Sequence, residues 1–205
     1  MRIFSYVVEH DLGFAPNPFF GVCSLAACKP QIRRTAAVGD IIIGTGAALP
    51  KLTGHLIYWM KVDTITDFNN YWADPKFRSK RPDMLAPGKM LRYGDNIYHK
   101  EAADADFRQE DSFHSEMGGG LSVGNRTRDT GTTDRVLLGC KFDYFGEDGP
   151  MIPAGFENFV KAGPGHKCNF TDQEVAAMNL WLQSLGSHGY RGRPSHWQFL
   201  KPDSV

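Results

Sequence analysis

Two short segments bring side chains that can move protons or hold a base close together in the chain. One reads Gly94-Asp95-Asn96-Ile97-Tyr98-His99, and the other reads Asp111-Ser112-Phe113-His114-Ser115. Two histidines and two aspartates can form a general acid–base pair or a metal site. If residues 96–99 form a strand, His99 lies on the face opposite Tyr98, and His114 can lie near it. The candidate catalytic residues of an enzyme are therefore His99, His114, Asp95 and Asp111.

The same segments also allow functions without catalysis. An asparagine amide can read a base through paired donor and acceptor contacts, which makes Asn96 a candidate ligand-binding residue. Alternatively, the stretch is a solvated loop in which Asp and Ser form turns. The polar series continues with Arg126, Arg128 and Asp129, and the sequence leaves these alternatives open.

Motifs for other chemistry are incomplete. Gly119 and Gly124 have the separation found in a phosphate-binding loop, but Asn125-Arg126 stands where that loop needs Lys followed by Ser or Thr. Gly120-Leu121-Ser122-Val123-Gly124 has the spacing Gly-x-Ser-x-Gly, but no predicted strand precedes it as a nucleophile elbow requires, and no cysteine shows a local context typical of Cys/His catalysis. Nucleophilic catalysis by serine or cysteine therefore stays open without a motif in its favour.

The four cysteines suggest free thiols more than a metal site. A zinc site could be assembled from Cys23, Cys28, His166 and Cys168. However, Cys23 and Cys28 belong to an apolar segment, VCSLAAC, and cysteine is often buried simply as a small hydrophobic residue. We predict buried free thiols, Cys23 among them, with no bound metal and no cofactor.

Charge and hydropathy exclude several broad classes of protein. The 205 residues include 23 Lys+Arg and 23 Asp+Glu, so the formal net charge is zero, unlike that of a generic polyanion binder. No apolar run approaches the roughly 18 residues of a membrane span. The first residues become acidic at Glu9 and show no cleavage site of a secretory signal. We predict a cytoplasmic protein without a membrane partner, which also fits free cysteines.

The elements that must position these residues suggest one α+β domain over residues 1–205. Apolar and β-branched runs predict strands at residues 2–8, 41–46, 54–62, 96–99 and 134–145. Thr64 or Thr66 can cap a short helix that ends before Pro75. Residues 100–131 are polar and glycine-rich, which predicts mobile loops.

The clearest helix is predicted near the C-terminus. Thr171 and Glu174 have the spacing of a capping box at the start of a helix over residues 171–185. Gly186 ends the pattern. The helix has one apolar face, which consists of Val175, Met178, Leu182 and Leu185.

The order of elements in the first third of the chain is similar to a PUA-like barrel, the group that includes the EVE and ASCH domains. The similarity rests on the strand RIFSYVV, an irregular segment, Val38-Gly39-Asp40 before a buried strand, and the strand GHLIYWMKV. It implies a partly open β-barrel with peripheral helices, with its core over about residues 1–145. The amphipathic helix and tail would follow over about residues 165–205. A pocket between barrel strands would hold an extruded base.

The whole chain, from residue 1 to about 194, resembles the family called nucleotide modification associated domain two. The matching segments are FAPNPFFGVCSLAACKPQIRRTAAVGDIIIGTG, YWADPKF with Lys80-Arg81-Pro82, YGDNIYH, DSFHS, RDT followed by DRVLLG, FDYFG and GHKCNF. The resemblance implies an association with bacterial and phage systems that make or sense modified DNA bases.

Two functions follow as hypotheses. In the first, the protein recognises a modified or flipped nucleotide in DNA, with aromatic side chains stacked on the base and basic side chains on phosphates. The candidate ligand-binding residues are Phe19, Phe20, Arg33, Arg34, Thr45, Asn96, Tyr98 and Ser112. Further aromatic and basic candidates are Trp59, Tyr71, Trp72, Lys76, Arg78, Lys80 and Arg81.

In the second hypothesis, the protein is an enzyme that acts on nucleotides or DNA bases through the His/Asp group, with the glycine-rich loops as lids. Both hypotheses predict a nucleic acid or nucleotide partner and allow further modification-system proteins as partners. Both also place one pocket beside residues 39–45, lined by the Phe19-Phe20 loop and by the two polar segments.

Overall fold

The computed structural model describes residues 1–199, and strands and short helices alternate along this part of the chain. The strands are β1 (Ile3–Val8), β2 (Cys23–Leu25), β3 (Ile41–Gly46), β4 (Leu56–Lys61), β5 (Thr64–Asp67), β6 (Tyr98–His99), β7 (Arg108–Gln109), β8 (Arg135–Gly139), β9 (Phe142–Tyr144), β10 (His166–Lys167) and β11 (Gly189–Tyr190). The α-helices are α1 (Pro30–Thr35), α2 (Phe68–Ala73), α3 (Lys89–Arg92), α4 (Val123–Thr130) and α5 (Asp172–Leu185). Within residues 1–199, none of these helices combines the length and apolarity that crossing a membrane requires.

The main sheet has six strands in the order β10-β1-β3-β4-β9-β11. β1 and β3 pair in parallel, and β3 and β4 pair antiparallel as a hairpin. β1 and β3 are buried almost throughout, which explains why their sequences are continuous apolar runs instead of alternating ones. The predictions of strands at 2–8, 41–46 and 54–62 are confirmed.

A second sheet has three strands in the order β2-β8-β5, and β6 and β7 form a separate two-stranded ribbon. The strand predicted over residues 134–145 is two strands in different sheets, because β8 pairs with β2 and β5 whereas β9 pairs with β4. The carboxylate of Asp63 accepts hydrogen bonds from the backbone N–H groups of Cys140, at 2.7 Å, and Lys141, at 3.3 Å. This contact fixes the turn that separates β8 from β9.

The described strands form open sheets. The six-stranded sheet ends on the two-residue edge strands β10 and β11, so the strand order does not return to its start. The architecture is a mixed α+β fold with one multi-stranded sheet and few helices. The PUA-like barrel stays a prediction.

α5 forms as predicted and covers one face of the main sheet. Thr171 accepts a hydrogen bond from Glu174 N, and the Glu174 carboxylate accepts one from Thr171 N at 2.7 Å, which completes the capping box. Val175, Met178 and Leu182 are buried in a cluster with residues of β1, β3 and β4, and Leu185 packs at its edge. Residues 200–205 of the predicted tail lie outside the described residues.

Two local predictions need correction. Thr64 and Thr66 do not cap a helix, because they pair with β8 as part of β5. Asp67 caps α2 instead, with its carboxylate accepting a hydrogen bond from Asn70 N at 2.8 Å. The polar stretch 100–131 contains α4, and only residues 98–99 of the strand predicted over 96–99 belong to β6.

The cap of α5 gives a first testable expectation. Thr171→Ala removes the acceptor for Glu174 N, so we expect the free energy of unfolding to fall by about 1 kcal/mol. Urea denaturation would measure this change. Thr132→Ala, at an exposed position, is the matched control and should change stability by less than about 0.5 kcal/mol. Equal effects of the two substitutions would contradict the capping role.

Candidate functional site

A cavity of about 580 Å³ opens between the end of β1 and the start of α1. It is lined by Tyr6, Val7, Val8, Glu9, His10, Phe14, Ala15, Cys28, Lys29, Pro30, Gln31, Ile32, Phe113, His114, Asn125, Arg128, Gly165 and His166. Cavities of a few hundred Å³ hold small-molecule ligands. The lining combines five segments that are far apart in the chain.

One wall of the cavity carries a cysteine and a histidine, and a buried aspartate lies behind the histidine. Cys28 Sγ lies 3.4 Å from His114 Nε2, and His114 Nδ1 lies 2.9 Å from Asp129 Oδ2. Asp129 is fully buried and His114 is 6% exposed, whereas Cys28 is partly exposed. The carboxylate on Nδ1 keeps a proton there and leaves Nε2 facing the thiol, which is the arrangement of a nucleophile with its base and orienting acid.

The backbone around Cys28 is held in an unusual conformation. Cys28 and Lys29 both have positive φ, at 56° and 42°, directly before the proline that starts α1. Non-glycine residues rarely adopt such φ values, and they cluster at functional sites when the surroundings enforce them. Here Cys28 N donates to Asp129 Oδ1 at 3.0 Å, and Cys28 O accepts from Arg33 Nε at 2.9 Å. The main chain of Cys28 is therefore fixed at both its N–H and its C=O.

His114 and Asp129 are supported by neighbours that the sequence analysis selected. The Tyr98 hydroxyl donates to Asp129 Oδ2 at 3.0 Å, and Ser112 Oγ accepts from His114 N at 3.2 Å. The ring of Phe14 packs edge-on against the imidazole, with centroids 4.5 Å apart. These contacts hold the imidazole between the thiol and the carboxylate.

Arg128 places a positive charge beside the same group. Its Nη2 lies 3.8 Å from Cys28 Sγ and 3.2 Å from His114 Nε2, and its Nε donates to Asp129 Oδ1 at 3.0 Å. The Arg128 side chain is 44% exposed, so it can also contact a ligand in the cavity. A guanidinium at this position can stabilise negative charge on sulfur or on a substrate oxygen.

These contacts shift the pKa values of His114 and Asp129. Burial alone would lower the pKa of His114, but hydrogen bonds to Asp129 and Cys28 raise that pKa to about 9. Burial would raise the pKa of Asp129, but the hydrogen bonds from His114 and Arg128 lower it. By contrast, burial raises the pKa of Cys23, which has no such partners. Of these two cysteines, Cys28 alone combines access to solvent with a nearby base.

Cys28, His114 and Asp129 also offer the ligand types of a metal site. Cys28 Sγ, a His114 nitrogen and an Asp129 oxygen lie within 4.8 Å of one another, and Zn²⁺ accepts all three ligand types. However, Cys28 contacts Nε2 of His114 and Asp129 contacts Nδ1. An ion bound to Nε2 would therefore lie beside the thiol but not the carboxylate, and an ion bound to Nδ1 would lie beside the carboxylate but not the thiol. Both Asp129 oxygens also already accept hydrogen bonds, from Cys28 N and from Tyr98. The geometry favours a proton relay over a metal centre.

Of the four predicted catalytic residues, only His114 lines the cavity. His99 Nε2 lies 2.8 Å from Glu110 Oε1, and the His99 ring stacks on Trp72 with centroids 4.2 Å apart. The predicted pairing of His99 with His114 is not observed, because β6 pairs with β7 and directs His99 to these other partners.

The two predicted aspartates support the fold away from the cavity. Asp95 is fully buried and accepts hydrogen bonds from Ser24 Oγ at 2.7 Å and from the Tyr71 hydroxyl at 2.8 Å. Asp111 accepts a hydrogen bond from Gly120 N at 2.6 Å within its own loop. A buried carboxylate needs such partners to offset desolvation, so Asp95 is held by the core and does not reach the thiol.

The predicted ligand-binding residues separate in the same way. Those that do not line the cavity and do not support the Cys–His–Asp group directly are Phe19, Phe20, Arg34, Thr45 and Asn96. Thr45 Oγ1 donates to Tyr6 O at 3.2 Å, and Asn96 Nδ2 donates to Tyr71 O at 2.9 Å, so both satisfy buried backbone groups. The cavity lies beside β1 and not beside residues 39–45, because β1 and β4 flank β3 on both edges.

Arg33 is also fully buried and cannot contact a phosphate from solvent. Its guanidinium donates to three backbone carbonyls, those of Cys28 at 2.9 Å, Arg135 at 2.9 Å and Asp129. Arg33 therefore joins the cysteine loop to the end of α4, and it positions two members of the group.

Cys28 and Asp129 are the site residues that sequence reasoning did not select. In the sequence, Cys28 belongs to an apolar segment, which indicates core packing. The one feature that could have indicated a functional cysteine is its position directly before Lys29-Pro30, at the start of a helix. Asp129 stood at the end of the polar series, but nothing local links it to His114. The contact between Cys28 and Asp129 spans 101 residues, and the contact between Cys28 and His114 spans 86.

The raised pKa of His114 predicts a measurable pH dependence. We expect the His114 imidazole to titrate near pH 9 by NMR, and Asp129→Asn to move that midpoint down. The pKa of His114 in the folded protein lies above the ordinary histidine value of about 6.5. The protonated imidazole therefore stabilises the fold, and this stabilisation is fully present below about pH 6.5. This stabilisation is lost as the pH rises through the raised pKa.

The corresponding stability test compares Cys28→Ala with Cys28→Ala/His114→Gln, so that titration of the thiol does not contribute. We expect the difference in unfolding free energy between the two proteins to shrink as the pH rises above about 6.5. The groups that face the imidazole in this background are Asp129 and Arg128. A His114 midpoint at or below 6.5 in the otherwise unaltered protein would contradict the interpretation.

Comparison with known proteins places the chain in a family. A family model described as Nucleotide modification associated domain 2 matches residues 1–201. No curated protein and no solved structure matches the chain significantly. The match spans nearly the whole chain and includes Cys28, His114 and Asp129, so the protein belongs to the nucleotide modification associated domain 2 family.

Proposed function

We propose that this protein is an enzyme of nucleotide modification that uses Cys28 as a covalent nucleophile. The observation that carries the proposal is the series Cys28 Sγ, His114 and Asp129, with distances of 3.4 Å and 2.9 Å, whose first two members line a cavity. Family membership supports a nucleotide-linked substrate. The geometry supports the enzyme hypothesis of the sequence analysis, with a different set of residues around His114.

The chemistry that suits this arrangement is acyl transfer. The Cys28 sulfur attacks a carbonyl carbon, and a C–S bond forms as the bond to the leaving amine or alcohol breaks. His114, whose raised pKa favours the protonated imidazole, holds the thiol proton on Nε2 and gives it to the leaving group. Water or a second amine then attacks the thioester and gives its proton to His114. The C–S bond breaks, the acyl group leaves as a carboxylic acid or a new amide, and the proton on His114 is again shared with the free sulfur. Arg128 stands where it can stabilise the oxyanion that forms in each step.

The substrate we propose is a nucleobase or nucleotide that carries an acyl group on an exocyclic amine. Phe14 and Phe113 line the cavity beside His114, and their rings pack edge to face with centroids 5.8 Å apart. Phe113 is 43% exposed and offers a surface on which a base can stack. A base held there would present its substituent to Cys28.

The test is a turnover assay on deoxycytidine and deoxyadenosine that are acetylated on the exocyclic amine, as free nucleosides, as monophosphates and within single-stranded DNA. We expect the unaltered protein to release acetate from at least one form and Cys28→Ala to lose this activity. Cys168→Ala, at an exposed cysteine, is the matched control and should retain it. Equal activity of Cys28→Ala and the unaltered protein would refute the proposal.

A second candidate function is recognition of a modified or flipped base in DNA without chemistry. The exposed ring of Phe113 at the cavity favours it, because a flipped base needs a stacking partner. In that case Cys28→Ala would bind modified DNA as well as the unaltered protein does, and neither would turn it over. Either function would belong to a bacterial or phage modification system with further protein partners, in a cytoplasm that keeps Cys28 reduced.

A further inference from the structure

The cavity beside Cys28 has an excess of basic groups. Lys29 and His166 line it together with Arg128, and Glu9 is the one acidic residue in its lining. Lys161 lies close enough that its charge lowers the pKa of both Lys29 and His166, in addition to the lowering that burial causes. Three basic groups on one side of a cavity repel one another unless an anion joins them.

Lys29 forms no salt bridge among residues 1–199. Its Nζ stands 4.7 Å above the ring of Tyr6. Burial is the largest cause of the lowered pKa of Lys29, and the charges of Arg128 and Lys161 act in the same direction, whereas the charge of Glu9 raises that pKa. Lys29 directly follows Cys28 and is the N-cap residue of α1, so its side chain leaves the same loop as the thiol. A half-buried ammonium held in this way is suited to a ligand with negative charge.

His166 contributes a further basic group to the same lining. It belongs to β10, which pairs with β1 through Tyr6, the residue beneath Lys29. The pKa of His166 is lowered first by burial and then by the charges of Lys29 and Lys161. An anion between His166 and Lys29 would remove that repulsion and favour the protonated imidazole.

We infer that Lys29 and His166 form a phosphate-binding subsite, which anchors a nucleotide phosphate so that the substrate reaches Cys28. This inference rests on the proposed function, because it names the part of the substrate that the cavity holds. Arg128 is left to the thiol and the oxyanion. The phosphate can belong to a free nucleotide or to a DNA backbone, since both present anionic oxygens to the same donors.

The test uses Cys28→Ala, so that binding is measured without turnover. Isothermal titration would compare deoxycytidine, deoxycytidine monophosphate and a short single-stranded oligodeoxynucleotide. We expect a phosphate-containing probe to bind at least about 10-fold more tightly than deoxycytidine, and inorganic phosphate to compete with it. Tight binding of the monophosphate would identify a free nucleotide as the source, and binding of the oligodeoxynucleotide alone would identify the DNA backbone.

A second substitution locates the subsite. In the same background, Lys29→Met should lower the affinity for the phosphate-containing probe by about 10-fold or more and leave the affinity for deoxycytidine unchanged. Lys141→Met, at an exposed position outside the cavity, is the matched control and should have no effect. Equal affinities for deoxycytidine and for both phosphate probes would overturn the inference, as would a Lys29→Met protein that binds them normally.

An independent readout needs no substitution at Lys29. Addition of inorganic phosphate or of the tighter probe should raise the pKa of His166, measured by NMR in the Cys28→Ala protein. An unchanged His166 titration at saturating probe would overturn the inference. None of these measurements requires turnover, so a failure of the acyl-transfer proposal would not change the measured phosphate binding. Conversely, loss of phosphate binding would not affect acylation of Cys28 by a neutral reagent.

Discussion

Asp129→Asn is expected to lower the rate at which p-nitrophenyl acetate acylates Cys28 by about 100-fold or more. General acid–base assistance typically contributes 10²- to 10⁴-fold. The asparagine amide would replace an acceptor on His114 Nδ1 with a donor, so the imidazole could no longer keep a proton on Nδ1 while it holds the thiol proton on Nε2. Stopped-flow detection of p-nitrophenol would measure the rate at pH 7.

The control for this prediction is Asp111→Asn. Asp111 is the acidic residue that the sequence places three positions before His114, but its carboxylate contacts Gly120 N in its own loop. We expect its substitution to change the acylation rate by less than about 2-fold. If Asp111→Asn slowed the reaction as much as Asp129→Asn, or if a folded Asp129→Asn protein reacted normally, the assigned relay would be wrong.

Arg33→Met is expected to lower the free energy of unfolding by about 3–5 kcal/mol. The substitution removes the donor from the buried carbonyl oxygen of Asp129 and from the part-buried carbonyl oxygens of Cys28 and Arg135, and a buried loss costs about 1–3 kcal/mol. Methionine preserves much of the apolar stem, so packing changes little. Urea denaturation at pH 7 would measure the change.

Arg34→Met is the matched control for Arg33→Met. Arg34 is the next residue in α1, but it is exposed. Within residues 1–199, its guanidinium has one hydrogen-bond acceptor, Gln31 Oε1 at 2.7 Å. We expect a change of less than about 0.5 kcal/mol. Similar losses from both substitutions would show that Arg33 does not carry the backbone contacts assigned to it.

Elements with a strong local pattern could be predicted from the sequence. β1 and β3 are continuous apolar runs, and α5 has both a capping box and an apolar face, so neighbours in sequence determine them. α4 could not be predicted in this way, because its sequence VGNRTRDT has no apolar stripe and includes a glycine. Contacts of Asp129 and Arg128 with distant residues stabilise α4 instead.

The candidate site was predictable only in part for the same reason. His114, Tyr98 and Ser112 came from one dense polar stretch, and all three belong to the site or support it. Cys28 lies 86 residues before His114 and sits in a segment whose composition suggests core packing. The pairing of β2 with β8 and the buried guanidinium of Arg33 bring the cysteine loop to α4, where Cys28 N also donates to Asp129.

The most direct test of the account is to map the covalent adduct that forms with p-nitrophenyl acetate. The protein is quenched in acid during the burst, digested, and sequenced by mass spectrometry. The account predicts an acetyl group on Cys28, with no adduct at that position in Cys28→Ala and little on buried Cys23 or on exposed Cys140 and Cys168. An unmodified Cys28, or acetylation that favours the two exposed cysteines, would contradict the claim that Cys28 is the nucleophile.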